Sequence, residues 1–527
     1  MGRPLRKLVL LSGTAGVSID AVLDLVRGSI ARSPPPEAGR VGVAKFEDFI
    51  TGRLLAHITS VLRYFIESRP SAIEHFHEAL AALEGVVERS GFDTLYLAAH
   101  LSYMVEGHLI PNPVLSRLLD LAEEVTIIYY VEDFYDALDR IRRHSEAVKD
   151  YLAYFNLDPL SYLEWRGLDF NLLGLLENLR PGVEALIFGV KHPRVTHERL
   201  LRYAALPGLL ARRRFHLAYF SHPITFFREA YVASRAGGAG RPLALGGMRG
   251  VRVLERLKDV LRSMVPTLIL FEPTTVDELI LESPEEVARA AGCGPCEGGE
   301  PMLSPVVTSE NRWPLPPEPL HGDYAYAGGG RLDLVGEGFM EFFGVESWRG
   351  IRQAFCPKGC LPENAGGCPE MVASRIQRLI DRQIKLRDYE YVAQSSLLIA
   401  ATIVYIERQR GGPWVAWLVR SQGMEAEIRR AQALGRPVYL VVGVVPVEGD
   451  PAAAELDAAR SHALQCPLPE EVSRLEEAER LAPQECLNTL ERAGPFSARP
   501  NLVNLHLTPP EEFARSLASL AERGSAL

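Results

Sequence analysis

The sequence predicts an α/β protein built as two three-layer, parallel-sheet domains, and three observations carry that expectation. Apolar runs at Lys7–Ser12, Val41–Phe46, Thr94–Ala99, Val125–Val131 and Glu184–Val190 are continuous rather than alternating, as in parallel strands buried on both faces. Helical stretches such as Phe49–Glu67 and Ala72–Arg89 lie between them. A second strand–helix series opens at Phe215–Phe220 and runs to Asn501–Leu507, followed by a helix with Thr508 as cap and Pro509 in its first turn.

At 527 residues the chain exceeds one ordinary core, so we expect two domains, 1–205 and 206–527. The second is interrupted at about 283–370 by a Gly-, Pro- and Cys-rich stretch without periodicity, the composition of a lid, a stapled subdomain or a contact surface. Hydrophobic residues make up 47% and charged residues 24%, the balance of a soluble globular protein. No apolar run approaches the ~20 residues that span a bilayer, so no membrane partner and a cytoplasmic location are expected. A net charge of −10 argues against a nucleic-acid partner, and Arg212-Arg213-Arg214 reads as a solvated edge. Seven lysines stand against 50 arginines, a bias compatible with a GC-rich genome or a thermophile. It leaves few lysines for phosphate chemistry.

The first strand enters Ser12-Gly13-Thr14-Ala-Gly16-Val-Ser18-Ile19-Asp20, which has the outline of a phosphate-binding loop. Such a loop needs Gly-x4-Gly-Lys-Ser/Thr so that backbone amides and a lysine surround the phosphates. Here the second glycine is Ser18, the lysine is Ile19 and the metal-binding hydroxyl is Asp20. Gly13, Thr14, Gly16 and Ser18 therefore remain candidates for nucleotide contact, without the catalytic cation. Lys45-Phe-Glu47-Asp48, Ala98-Ala-His100 and Tyr130-Val-Glu-Asp133 end the next three strands. With the loop, they make residues 7–200 resemble small P-loop kinases of the adenylate kinase type, in a degenerate form. Lys191 is the best substitute for the missing lysine. We expect no magnesium-dependent ATP hydrolysis here, and little effect of Gly13→Val on activity.

In the second half, Arg387-Asp388-Tyr389 precedes the buried strand Leu397–Val404. Ser421-Gln-Gly423-Met-Glu-Ala-Glu427-Ile then reads as a glycine turn opening a helix, before the strand Pro437–Val442. That order brings Asp388 and Glu427 to one end of a parallel sheet, where open α/β sheets hold ligands. The layout resembles the nucleoside 2-deoxyribosyltransferases and the related nucleotide N-hydrolases. The resemblance implies Glu427 as nucleophile and Asp388 as the acid or sugar-orienting residue. It also implies a pocket lined by Ser221, His222, Thr225, Arg228, Arg387, Tyr389 and Gly423. By the same resemblance, the partner is a nucleoside or nucleotide and the assembly a homo-oligomer. The sequence departs from the family pattern at Met424, Arg429 and Ser396, and Trp414-Val-Ala-Trp417-Leu-Val replaces a polar loop.

The expected chemistry is N-glycosidic hydrolysis or transfer, in which one carboxylate traps an oxocarbenium-like carbon and a second acid protonates the departing base. For that role Glu427, read as lying in a first helical turn, is expected to stay ionised. Two alternatives stand beside this one: a non-catalytic nucleotide-sensing or partner-binding protein, and a nucleotide kinase.

Five of seven cysteines fall in the insertion, as Cys293-x2-Cys296 and Cys356-x3-Cys360-x7-Cys368. A structural zinc, disulfides and free thiols all fit this spacing.

Overall fold

The computed structural model describes residues 5–17, 19–32, 39–54, 65–105, 108–132, 159–190, 216–223, 249–265, 267–271, 367–409, 412–447, 463–494 and 498–522, with 62, 137, 226, 456, 457 and 460 besides. The protein is α/β and divides into two compact units. The first contains Met1–Arg214 and the second Phe215–Thr275, with a further boundary between Gln383 and Ile384, after which the chain belongs to the second unit.

The first unit is built on strands β1 (Leu5–Gly13), β2 (Val41–Lys45), β3 (Thr94–Ala98), β6 (Ala122–Glu132) and β7 (Val183–Val190). A separate antiparallel hairpin, β4 (Ser102–Val105) and β5 (His108–Pro111), follows β3 and was not anticipated from the sequence. The five-stranded sheet is wholly parallel in the order β2-β3-β1-β6-β7. Leu8, Val9, Leu10 and Leu11 of the central β1 are fully buried, which is why alternation is absent from that run.

Helices α1 (Ile19–Arg32), α2 (Phe46–Leu54), α3 (Arg69–Ser90), α4 (Leu115–Leu119) and α5 (Pro159–Leu179) connect these strands. On α3 the stripe Ala72, Phe76, Ala79, Leu80, Leu83 and Val87 is buried, the i, i+3, i+4 signature of one apolar face. Gly91 stops α3 in the left-handed conformation at φ 60°, and its amide returns to the Val87 carbonyl, a conformation other residues adopt only at a cost.

The second unit contains β8 (His216–Ser221), α6 (Arg249–Met264), β9 (Leu268–Phe271), the latter part of α7 (Gly367–Gln394) and β10 (Leu397–Arg408). It continues with β11 (Trp414–Val419), α8 (Gln422–Ala433), β12 (Val438–Pro446), β13 (Ala463–Pro467), α9 (Leu475–Arg492), β14 (Asn501–Asn504) and α10 (Pro510–Glu522). Five strands run parallel in the order β9-β8-β10-β12-β14. Counted in chain order that is 2-1-3-4-5, a doubly wound arrangement whose switch point lies between β8 and β10.

The parallel sheet of this unit also takes on two antiparallel strands. The tryptophan-bearing segment is strand β11, antiparallel to the far half of β10, and β13 adds beyond it. β10 is long enough for both pairings: Leu397–Ala400 match β8, while Val404–Arg408 match β11 on its other half.

Two backbone and covalent features hold this unit together. A Cβ on Gly443 of β12 would come within 2.5 Å of Val253 Cγ1, so glycine lets α6 lie close on the sheet. A disulfide joins Cys466 on β13 to Cys486 on α9, the two cysteines outside the insertion. It spans 20 residues, and closing a loop of that size restricts the unfolded chain by about 3 kcal/mol. Cys466→Ser combined with Cys486→Ser should therefore lower stability by about that amount. Unchanged denaturant midpoints under oxidising conditions would refute this.

Cys293, Cys296, Cys356 and Cys360 lie outside the described residues, and for Cys368 only its place at the start of α7 is described. Among the described residues no helix is long and apolar enough to cross a membrane, and no group of three or more His, Cys, Asp or Glu is gathered to hold a metal.

Candidate functional site

In the first unit, two amides at the loop after β1 are bonded locally. Val17 N–H donates to the Thr14 carbonyl (3.2 Å) and Ile19 N–H to the Val17 carbonyl (2.7 Å), so both close local turns. The Thr14 hydroxyl meets the Tyr162 hydroxyl at 2.5 Å, and Tyr162 donates to the Ala15 carbonyl. Gly16 takes a positive φ of 82°. Asp20, at the hydroxyl position of the motif, binds Lys45 Nζ through both oxygens at 2.8 and 2.9 Å. The nearby lysine is thus already neutralised. Ser18 and Lys191 lie outside the described residues.

Gly13→Val meets a steric obstacle in the fold, which is separate from its expected lack of effect on activity. A Cβ on Gly13 would stand 2.8 Å from the Tyr130 carbonyl oxygen and 3.3 Å from side-chain atoms of Val17 and Ile19. Gly13→Val should cost about 1–3 kcal/mol and lower the melting temperature by several degrees, whether or not a ligand binds. A variant melting with wild type would contradict this packing.

Two polar clusters in this unit were not singled out from the sequence. Buried Glu47 accepts from His100 Nδ1 (2.9 Å), from the His100 amide (3.0 Å) and from the Tyr103 hydroxyl (3.3 Å). Burial opposes the charge of Glu47, but these His100 bonds outweigh it and hold the carboxyl below its usual range. Asp169 accepts from Ser102 and from Tyr129 (2.8 Å), and Trp165 donates to Ser102 (2.9 Å). Burial raises Asp169 to about 7 despite those bonds.

In the second unit, Tyr219 and Ser221 are two apart on β8, so both project from one face of the strand at its carboxyl end. Both reach Glu427: the Tyr219 hydroxyl donates to Oε1 at 2.8 Å and the Ser221 hydroxyl to Oε2. Glu427 belongs to the buried stripe of α8, Met424, Glu425, Glu427, Ile428 and Ala431. On that face a carboxylate stands where the helical period calls for an apolar residue, and this was the signal available in the sequence.

Tyr219 was missed. The period-2 pairing with Ser221 would have found it.

α7 presents Arg387, Asp388, Tyr391 and Val392 inward. Arg387 Nε and Nη2 both approach Asp388 Oδ1, at 3.3 and 3.1 Å, and among the described residues Oδ2 accepts no hydrogen bond. The guanidinium lies 5.7 Å from the centre of the Tyr391 ring, which stacks on Phe271 at the end of β9 (4.7 Å, 8°). This aromatic floor fixes the cation that faces Asp388.

The two carboxyls are 8% exposed each, and burial is the largest influence on both. Glu427 is raised to about 8, first by burial and then by the Asp388 charge; Ser221, Tyr219 and Arg387 work against the rise. Asp388 is raised to about 6 by burial, and Arg387 restrains it. At neutral pH the pair therefore holds about one proton.

This corrects the expectation of an ionised Glu427, and the reason is positional. α8 starts at Gln422 after an extended Ser421, so the first-turn acid is Glu425, and Glu427 lies beyond the unpaired amides that favour a charge. Gly423 sits inside that first turn rather than in a glycine turn. A Cβ there would be 3.5 Å from Ser421 Oγ, an ordinary contact.

Of the remaining predicted pocket residues, His222 turns back on Phe220, ring centres 5.6 Å apart, and is not among the groups bonded to Glu427. Tyr389 is 38% exposed and carries Arg430 over its ring. Thr225 and Arg228 lie outside the described residues. No family model matches the chain, and neither does any curated protein.

Proposed function

We propose that the second unit cleaves or transfers an N-glycosidic bond of a nucleoside or nucleotide at the Glu427–Asp388 pair. One observation carries the reading: Glu427, on the sheet-facing side of α8, is hydrogen-bonded at both oxygens by Tyr219 and Ser221 at the switch point, with Asp388 close enough to raise its proton affinity. Two buried carboxyls sharing one proton supply what this reaction needs at once, an ionised group for the sugar carbon and an acid for the base.

Glu427 is the group that meets the sugar carbon. At neutral pH the higher proton affinity of Glu427 keeps the proton there. The reaction runs from the less populated arrangement in which that proton has passed to Asp388, whose unbonded Oδ2 then protonates the departing base. Tyr219 and Ser221 then stabilise the charge on Glu427. Burial, reinforced by Asp388 and Glu427, keeps the Tyr219 hydroxyl well above its usual range, so it remains a donor. A positive charge developing on the sugar favours ionisation of the pair, which makes the attraction stronger in the transition state than in the ground state.

The first unit, with the Val17 and Ile19 amides and Lys45 already engaged, supports no phosphoryl transfer in this reading. The test is chromatography of free base released from a panel of nucleosides and their monophosphates. Release above buffer by wild type supports the assignment. No release from any substrate overturns it, in favour of a protein that binds nucleotides without cleaving them.

A further inference from the structure

The first unit carries an imidazole held on every side but one. His100 Nδ1 lies 2.9 Å from Glu47 Oε1, against 3.9 Å for the His75–Glu78 and His506–Glu479 pairs. The same oxygen takes the His100 amide at 3.0 Å, so one carboxylate fixes both the backbone and the ring. Asn112 Nδ2 donates to the His100 carbonyl at 3.0 Å. Asn112 is itself held by the Val114 amide (3.1 Å) and, through its own amide, by the Leu101 carbonyl (2.8 Å). The ring rests against Tyr103, centres 5.6 Å apart.

Glu47 is ionised and can only accept, so Nδ1 carries the proton and a neutral ring keeps its lone pair on Nε2. Among the described residues no group bonds Nε2, and this nitrogen is not one of the buried unpartnered atoms. The side chain is 26% exposed, which opens that nitrogen to solvent. Its place in the fold suits a ligand. His100 follows the carboxyl end of β3, between β2 and β1, and Glu47 lies in the first turn of α2 just past β2. Open α/β sheets hold their ligands at this edge.

Charge narrows the class of ligand. Asp20, Glu47 and Asp48 all act on Lys45, three carboxylates on one ammonium, so this edge is net negative. It disfavours a phosphate or carboxylate and admits an uncharged molecule. No described serine, threonine or cysteine bonds Nε2, so the group that His100 activates is water.

We propose that His100 is the general base of a second catalytic centre, which hydrolyses an uncharged carboxylic ester, with Glu47 as its positioning residue. Nε2 takes a proton from water as the water oxygen bonds the carbonyl carbon. The acyl–oxygen bond then breaks and Nε2 returns the proton to the departing alkoxide. Ester and water thus leave as acid and alcohol, and the imidazole is restored. The acid ionises on release, and the negative edge favours its departure.

The probes are p-nitrophenyl acetate and butyrate, with p-nitrophenolate release by the full chain followed by absorbance. Wild type should exceed buffer. His100→Asn keeps an amide that can donate to Glu47 but removes Nε2, and should lower kcat/KM by about 10²-fold or more. Glu47→Gln should lower kcat at least about tenfold with little change in KM, because it removes the charge that orients the ring and no contact with the ester. His75→Asn, which removes a histidine of the same 26% exposure, should leave the rate as it is. Diethyl pyrocarbonate gives a measure that needs no variant: in wild type the rate should fall in step with modification of His100, located by peptide mass spectrometry. A wild-type rate at buffer level, a rate that survives His100→Asn, or an equal loss in His75→Asn overturns the proposal. If His100→Asn melts well below wild type, the modification decides, and activity persisting after His100 is fully modified overturns it.

Discussion

Glu427→Gln should reduce base release by about 10²–10⁴-fold or more while the protein remains folded. Gln matches Glu in shape and can still accept from Tyr219 or Ser221 through its single carbonyl oxygen, but it carries neither a transferable proton nor a charge. The loss should appear in kcat, because the missing charge acts where the sugar becomes cationic, with a smaller change in ligand affinity. Wild type and variant are compared by free-base chromatography on the best substrate, with melting curves run alongside. Equal rates in the two proteins would eliminate Glu427 from the chemistry. A large drop in melting temperature would assign it to the fold instead.

The pH dependence should be bell-shaped, with limbs near pH 6 and pH 8 that belong to the pair rather than to either residue. Below the lower limb both carboxyls are protonated and no group is left to meet the sugar carbon. Above the upper limb both are ionised and the base has no proton donor. On each side kcat/KM should fall by about tenfold per pH unit. A flat profile from pH 5 to pH 9 would exclude a one-proton pair as the working state.

Stability follows the same linkage with a definite sign. The folded-state value of Glu427, about 8, lies above the ordinary 4.5, so its contribution is complete below about pH 4.5 and is lost as pH rises through about 8. The melting temperature of wild type should therefore decline relative to Glu427→Gln across that window. A gap that stays constant with pH would argue against the raised value.

Much of this molecule was legible in its sequence. Continuous apolar runs at Leu8–Leu11 and Leu397–Val404 specify strands buried on both faces, because a strand wet on one face would alternate. The stripe on α3, read from the sequence as a helical stretch at Ala72–Arg89, is a local matter of helical period. The order of Asp388, β10, Glu427 and β12 is likewise written along the chain, and it sufficed to bring the two acids to one edge of a sheet.

The protonation state of those acids was not legible. It depends on how far Glu427 sits from the start of α8, on the burial of both carboxyls, and on the Asp388 charge beside Glu427, all distances through space. The partners of Glu427 are equally non-local: Tyr219 and Ser221 lie about two hundred positions away in the chain, and only the 2-1-3-4-5 order lays the end of β8 beside α8. For the same reason Lys45 and Asp20, ordinary in sequence, neutralise each other next to a loop that reads as phosphate-binding, and the Val17 and Ile19 amides close on carbonyls of that loop. Residue type and spacing determine which elements form and which groups they carry. Strand order and packing decide which of those groups meet, how dry their surroundings are, and hence which of them holds the proton.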